Sequence, residues 1–178
     1  MLCTPALSPQ FEIGDHVVEN VLTWPHLGHI FSANLLDNDD MLARRNSFIG
    51  QTNTFLCNFS KVDVSVRNML FKSYCSSHYG AELWDLTNRK IEDYCIAWRK
   101  GLRKVWKLPY DSSCLNAALI SDTVPLLDEL CRRATNFIYT CLHCDSNFVY
   151  SIVSHDIAAG NSFPAGRNAG FCDLRYNC

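Results

Sequence analysis

The sequence lacks any long hydrophobic run, and with it the usual mark of a membrane-spanning helix. No segment approaches the roughly 20 apolar residues that such a helix needs to cross a bilayer. Residues 1–10 also lack the basic stretch and the long apolar core of a secretion signal. Internal repeats and low-complexity tracts are missing as well. We therefore expect an intracellular protein, cytoplasmic or nuclear, that has no membrane partner.

Charge is also modest, since 19% of the 178 residues are charged while 48% are hydrophobic. This balance argues against a disordered chain, which would combine few apolar residues with high charge. The length is sufficient for one good core, or for one domain with a loosely attached piece. We therefore expect a folded globular protein.

Cysteine is plentiful instead, with ten residues in the chain. Without a secretion signal, we expect most of them to be reduced thiols. Cys141 and Cys144 have the two-residue gap of a zinc knuckle, and His155, Cys172 and Cys178 could supply further ligands. Cys141 nevertheless continues the apolar periodicity of the residues before it, and no second close pair of ligands follows. We therefore expect no bound metal and no cofactor, with zinc at Cys141, Cys144 and His155 as the weaker alternative.

The most informative segment runs from Arg89 to Lys107. It carries seven basic residues and two acids, a net charge of +5, whereas the whole chain has a formal net charge of −2. Its apolar residues recur at spacings of four, three, four and three, which predicts an amphipathic helix with one buried stripe. The stripe consists of Ile91, Cys95, Trp98, Leu102 and Val105. The basic residues are Arg89, Lys90, Arg99, Lys100, Arg103, Lys104 and Lys107. Cations clustered in this way suit the phosphate backbone of a nucleic acid, and the competing interpretation is a solvated charged face.

Short β-rich segments precede the helical part of the chain. Residues 11–21 and 26–31 combine β-branched and aromatic residues with turn formers, and they predict strands. Trp24 and Pro25 open the second of these strands. From Asn38 onwards the apolar period becomes that of a helix.

Six helices are predicted after the strands. Their predicted ranges are 38–59, 65–78, 89–107, 114–120, 123–141 and 145–153. We expect Asn38, Thr123 and Asp145 to act as caps, and Asp39 and Asp40 to lie favourably in the first turn of the first helix. The face of the second helix expected to point inward consists of Val66, Met69, Leu70, Tyr74 and Ser77.

These elements place the chain in the mainly α class, with a short N-terminal β element followed by a helical bundle. We divide it into a β element at 1–36, a three-helix bundle with a basic third helix at 37–110, and a helical connector at 111–156. The remaining residues, 157–178, are rich in Gly, Asn and Ser and predict a loose tail.

Eight short strings occur in a recognisable order along the chain. They are WPHLGHI from Trp24, RNSF from Arg45, FKSYC from Phe71, YGAELW from Tyr79, AWRKGLRKVW from Ala97, LPY from Leu108, DELCRR from Asp128 and GRNA from Gly166. Together they resemble the C-terminal part of the reverse transcriptase of LINE-type (non-LTR) retrotransposons, downstream of the catalytic palm. The resemblance covers roughly residues 11–176. No single string is specific, but eight in order are hard to obtain by accident.

The resemblance implies a thumb-like bundle preceded by the end of a palm. In that family the polymerase has fingers, a palm with metal-binding aspartates, and a helical thumb that grips the template–primer duplex. RNA or an RNA–DNA duplex, bound weakly and without sequence preference, is therefore the expected partner. His26, Leu27 and Gly28 match the strand near the primer terminus. The family's basic string corresponds to Arg99, Lys100, Arg103 and Lys104.

One part of the family's pattern is absent from this sequence. The polymerase centre of the family uses an aromatic-x-Asp-Asp turn and a third carboxylate to hold two metal ions. The only comparable acids here, Asp37, Asp39 and Asp40, lie at a predicted helix start, where acids complement the helix dipole. We therefore expect no catalytic residue and no enzymatic activity. The chain resembles a truncated copy that lacks the fingers, most of the palm and the endonuclease domain, and the missing palm and fingers of the parent polymerase are an expected partner.

Two alternatives compete with this non-catalytic thumb-and-connector fragment. One is a stand-alone helical module that binds nucleic acid or a protein through the basic face of residues 89–107. The other is a different enzyme, for which Cys75 and His78 form an i, i+3 pair on one predicted helix. Nothing in the sequence orients His78, so a core thiol beside a surface imidazole is the simpler interpretation.

Overall fold

The computed structural model describes residues 11–160 and Asn168, without the side chains of Cys114 and Leu115. In this part of the chain, two β-hairpins are followed by six α-helices, so the predicted mainly α fold with a short N-terminal β element is confirmed. The strands are β1 (Phe11–Ile13), β2 (His16–Val18), β3 (Thr23–His26) and β4 (His29–Ser32). The helices are α1 (Asn38–Asn58), α2 (Val64–Cys75), α3 (Lys90–Trp106), α4 (Cys114–Ile120), α5 (Leu126–Leu142) and α6 (Asn147–Ala158), with a 3-10 turn at Ala81–Leu83.

Each predicted strand region forms a hairpin instead of a single strand. β1 pairs with β2 and β3 pairs with β4, both antiparallel. Leu27 and Gly28 form the second turn, with φ angles of 47° and 81°. Two central residues with positive φ are typical of the short turn whose twist matches that of a hairpin. This corrects the prediction that His26, Leu27 and Gly28 share one strand, because His26 ends β3 and pairs with His29.

The core lies between α1, α2 and α3 and extends to α5, and aromatic rings pack between the first three helices. The ring centroids of Phe48 and Phe71 are 6.1 Å apart in an edge-to-face arrangement. Tyr94 packs edge-on against Phe48 at 5.9 Å and against Trp84 at 5.6 Å. Such offset geometries bring the positive edge of one ring to the negative face of the next. The three helices are therefore held in fixed positions relative to one another, which fixes the surface between α1 and α3.

A buried carboxylate attaches the second hairpin to the bundle. Oδ2 of Asp40 accepts hydrogen bonds from Nε1 of Trp84 at 2.7 Å and from Nδ1 of His29 at 2.9 Å. Oδ1 of Asp40 accepts from the backbone amide of Ile30 at 3.0 Å. A carboxylate that is 4% exposed is tolerated in a core only when its oxygens are paired in this way.

The second helix buries a different face from the predicted one. Its expected inward residues are mostly exposed, namely Val66, Met69, Tyr74 and Ser77. The buried row runs at i, i+4 spacing through Arg67, Phe71 and Cys75. This row is the buried one because it brings the ring of Phe71 against Phe48 and Phe55 of α1. Several apolar side chains of α2 are left in solvent as a result.

Three helix caps differ from the predictions by one or two residues. The cap positions are Asp37, Pro125 and Ser146 in place of the predicted Asn38, Thr123 and Asp145. Tertiary contacts explain the first shift, since the Asp37 carboxylate accepts a hydrogen bond from the backbone amide of Asp85 at 2.9 Å. At the start of α6, Ser146 accepts from the amide of Val149 at 3.5 Å.

Asn168 is buried although it belongs to the predicted loose tail. Its side-chain amide donates to the carbonyl of Trp84 at 2.6 Å, and its Oδ1 accepts from the amide of Leu86 at 2.8 Å. These two bonds satisfy backbone groups that no helix or strand pairs. The rest of the segment after Gly160 lies outside the described residues, and so does most of the predicted tail.

Candidate nucleic-acid interface

The basic helix forms as predicted, and its apolar stripe is buried. All five stripe residues are at most 4% exposed: Ile91, Cys95, Trp98, Leu102 and Val105. The helix ends at Trp106 and is closed by Lys107, whose φ of 53° is left-handed. With one face fixed in the core, the cations of α3 are held on its remaining surface. Arg103 and Lys104 in the last turn also complement the negative end of the helix dipole.

A cleft of about 560 Å³ lies between α1, α3 and the segment that follows α3. Five cations line this basic groove: Arg45 from α1, together with Lys100, Arg103, Lys104 and Lys107. No carboxylate is among the described residues that line it. Like charges that line one groove repel one another, and a bound anion would relieve that repulsion.

Neighbouring groups position two of these cations. Nη1 of Arg103 donates to the carbonyl of Ser112 at 3.3 Å, and its guanidinium carbon lies 5.5 Å from the ring centroid of Tyr110. Nζ of Lys104 donates to Oδ1 of Asn53 across the groove at 3.1 Å. These contacts use only part of the donor capacity of each side chain, since a guanidinium has five N–H groups and an ammonium three.

Three of the seven predicted cations do not line the groove. Lys90 lies 3.5 Å from Asp93, and Arg99 pairs with Glu92, so both charges are offset on the helix surface. Arg89 precedes the first turn of α3 at its other end. The structure thus separates the predicted basic face into a groove set and an outside set.

Arg45 is a groove cation that the charge pattern did not identify. It comes from α1, more than 50 residues before the other groove cations, and its own segment is not rich in basic residues. Together with Ile49, Thr52 and Asn53 it follows the i, i+4, i+7, i+8 spacing of one helix face, and all four line the groove. Only the packing of α1 beside α3 shows that this face meets the basic helix.

The residues matched to the primer-side strand lie apart from the groove. His26, Leu27 and Gly28 are exposed in the second hairpin and are not among the residues that line the cleft. The carbonyl of Gly28 accepts a hydrogen bond from Arg44 at 2.5 Å, and Arg44 in turn lies 5.2 Å from the ring centroid of Tyr79. This local contact holds the hairpin turn against α1.

The acids compared with a catalytic metal site all have structural partners. Asp40 is buried against Trp84 and His29, and Asp39 accepts a hydrogen bond from the hydroxyl of Ser32 at 2.6 Å. Asp37 bonds to the backbone amide of Asp85. Within residues 11–160, no group of three or more His, Cys, Asp or Glu side chains could hold a metal ion.

Among the possible zinc ligands, the Cys144 thiol makes a local contact. Sγ of Cys144 lies 3.0 Å from the carbonyl of Cys141, one turn back on the chain. Burial raises the pKa of the Cys141 thiol, which disfavours the thiolate that zinc requires. His155 lies in the last turn of α6. Cys172 and Cys178 fall outside the described residues.

Cys75 and His78 are not a nucleophile and base on one helix. α2 ends at Cys75, and His78 follows in a left-handed conformation with φ of 44°. Burial raises the pKa of the Cys75 thiol, the opposite of what a reactive cysteine needs. Burial and the charge of Arg133 lower the pKa of His78 to about 4, and its Nδ1 lies 2.8 Å from the hydroxyl of Tyr94. His78 is thus a buried neutral imidazole, not the surface imidazole that was expected.

No protein-family model, curated protein or solved structure matches this chain. Among the described residues, no helix has both the length and the apolar character needed to cross a bilayer. The functional conclusion therefore depends on the geometry and charge of the basic groove, together with the resemblance of the eight strings.

Proposed function

We propose that this chain is a non-catalytic helical module that binds the sugar-phosphate backbone of a nucleic acid through the basic groove. We further propose that it corresponds to the thumb and connector of a LINE-type reverse transcriptase. Its partner would be RNA or an RNA–DNA duplex, bound weakly and without sequence preference. We place this activity inside the cell, in the cytoplasm or the nucleus.

The observation that carries the proposal is the convergence of five cations on one groove, with no carboxylate among the described residues that line it. Lys90 and Arg99, outside the groove, do have acidic neighbours. At physiological salt, charges separated by more than about 8 Å are largely screened, so local clusters matter more than the formal net charge of −2. A polyanion with closely spaced phosphates is the ligand that binds such a cluster most favourably.

Exposure of the groove cations supports the same ligand. Lys100, Lys104 and Lys107 are all exposed, so their ammonium groups can reach a phosphate without first being freed from the core. Arg103 and Arg45 are half-buried. Flexible lysine stems beside planar guanidinium groups suit contacts to phosphates, which position a nucleic acid without reading its sequence.

The non-catalytic part of the proposal is supported by the partners of the acids. Phosphoryl transfer by a polymerase needs carboxylates that are available to two metal ions. Asp40, the most buried acid of the cluster at the start of α1, has both oxygens occupied by hydrogen bonds. We therefore expect purified protein to extend no primer on a primed RNA template with deoxynucleotides and Mg²⁺.

A salt titration of binding tests the proposal directly. The logarithm of the association constant for a labelled RNA–DNA duplex should fall linearly with the logarithm of the salt concentration. The magnitude of the slope should be up to about 3.5–4.5, from five contacts at roughly 0.7–0.9 each. Two duplexes of unrelated sequence should bind equally, and polyglutamate at matched charge should compete poorly. Absence of binding at low salt, salt-independent binding, or primer extension above a no-protein control would each contradict the proposal. Effective competition by polyglutamate would favour an acidic protein partner instead.

A further inference from the structure

The basic groove is a cleft and not a flat charged face. Its volume of about 560 Å³ falls within the range of roughly 300–1,000 Å³ that is usual for clefts that hold small ligands. An intact duplex presents its phosphates on a convex surface and keeps its bases stacked inside. Such a duplex could touch the cations at the rim, but it would leave the interior of the cleft unfilled.

Part of the cleft lining is apolar. It consists of buried or half-buried residues, namely Phe48, Ile49, Ile96, Ala97, Gly101 and Leu108. Three exposed lysines line the same cleft, so apolar surface and positive charge lie side by side. A nucleotide whose base is unpaired offers the same combination, because its base has two flat apolar faces and its phosphate is an anion. A duplex hides those faces in the stack.

Tyr110 provides an aromatic surface at the groove. It lines the cleft and is 79% exposed, although the guanidinium of Arg103 lies 5.5 Å from its ring centroid. Exposed aromatic rings beside a basic track are the usual stacking platforms of proteins that bind single strands. An arginine beside the ring adds a cation that can also stack on a base.

We propose that the groove binds a single-stranded segment of RNA or DNA in preference to a duplex, with one base stacked on Tyr110 and the neighbouring phosphates on Lys100, Lys104 and Lys107. This inference rests on the proposed function and names the form of nucleic acid that the same site takes. The base enters the cleft, and the lysines contact the backbone on either side of it.

A comparison of single-stranded and duplex probes tests the inference. Binding is measured by fluorescence anisotropy with an oligouridylate of about ten nucleotides, which is a typical site size. The second probe is a blunt RNA–DNA duplex without a loop, long enough to stay paired, and the two affinities are compared per phosphate. We expect the single strand to bind more tightly at every salt concentration.

Variants of Tyr110 separate stacking from charge. Tyr110→Ala should weaken single-strand binding by roughly 5- to 150-fold, the usual effect of removing one stacking aromatic, whereas Tyr110→Phe should retain it. Tyr74→Ala is the matched control, because Tyr74 is 66% exposed on α2 and does not line the groove. Circular dichroism of each variant shows whether the helices remain intact.

The outcomes distinguish this inference from the proposed function. Equal or tighter binding of the duplex would overturn the single-strand inference, and so would full single-strand affinity in Tyr110→Ala. In both cases salt-dependent binding would still support the proposed function. If neither probe binds at low salt, both the inference and the proposed function fail.

Discussion

At the scale of single residues, Asp40 shows how a tertiary contact changes the role of a side chain. The sequence places it correctly in the first turn of α1, where an acid complements the helix dipole. In the fold it also accepts hydrogen bonds from Trp84, His29 and Ile30. The buried donor of Trp84 would otherwise lack a partner, since an indole N–H cannot be satisfied by apolar neighbours.

Replacing Asp40 by Ala should therefore destabilise the protein strongly. The variant leaves three donors without an acceptor, and we expect a loss of roughly 2–5 kcal/mol in the free energy of unfolding. Asp39→Ala is the matched control: the neighbouring acid is exposed and accepts one side-chain hydrogen bond from Ser32, so about 0.5–1.5 kcal/mol is expected. Urea denaturation measures both values. Equal losses for the two variants would show that the buried network contributes no more than the helix dipole.

At the scale of elements, α3 was predictable and α2 was not. Five apolar residues of α3 recur on one stripe, and its cations lie off that stripe, so the face to be buried was clear from the sequence. On α2, apolar residues occur on several faces, and local periodicity cannot choose between them. The choice is made by the ring of Phe71, which fits between Phe48 and Phe55. That fit depends on the position of α1, which the sequence of α2 does not contain.

The crossing of α1 and α3 depends on a close approach at Gly101. A Cβ atom added there would lie 3.2 Å from Cζ of Phe48 and 3.4 Å from Cζ of Phe71. Glycine normally weakens the interior of a helix by about 1 kcal/mol relative to alanine. Here the missing side chain makes room for the rings of Phe48 and Phe71, and Phe48 also lines the groove.

Two helical glycines should therefore respond in opposite ways to substitution. Gly101→Val should lower the free energy of unfolding by roughly 1–3 kcal/mol, because the added methyl groups overpack the core against Phe48. Gly50→Ala in α1 should raise it by about 0.4–1 kcal/mol, since nothing lies within 4 Å of the added Cβ there. Thermal unfolding of both variants checks the pair. A stabilised Gly101→Val protein would contradict the close packing of α1 and α3.

At the scale of the whole molecule, the sequence predicts the fold class and most of the cations, but not the groove itself. Charge counting along α3 identifies Lys100, Arg103, Lys104 and Lys107, all of which line the cleft. It cannot separate them from Arg89, Lys90 and Arg99, which have the same chemistry and lie outside. It also misses Arg45, because that residue joins the site only when two distant helices pack side by side. The resemblance to a thumb indicates a nucleic-acid ligand but not which surface meets it.

The division of the cations into two sets allows the central claim to be tested with matched variants. Lys100, Lys104 and Lys107 are replaced together by Gln in one protein, and Arg89, Lys90 and Arg99 together in the other. Both variants lose three positive charges from the same helical segment, so their net charges are equal. The fold should survive in both, because exposed ion pairs such as Lys90 with Asp93 contribute at most about 1 kcal/mol.

The measurement that tests the account most directly is the salt dependence of nucleic-acid binding in these two variants. Loss of the groove lysines should weaken binding at low salt and flatten the slope of log affinity against log salt by roughly 2–3, from three contacts at about 0.7–0.9 each. Loss of the outside cations should leave the slope close to that of the parent. If the two variants lose the same affinity, or the outside variant loses more, the groove is not the nucleic-acid site.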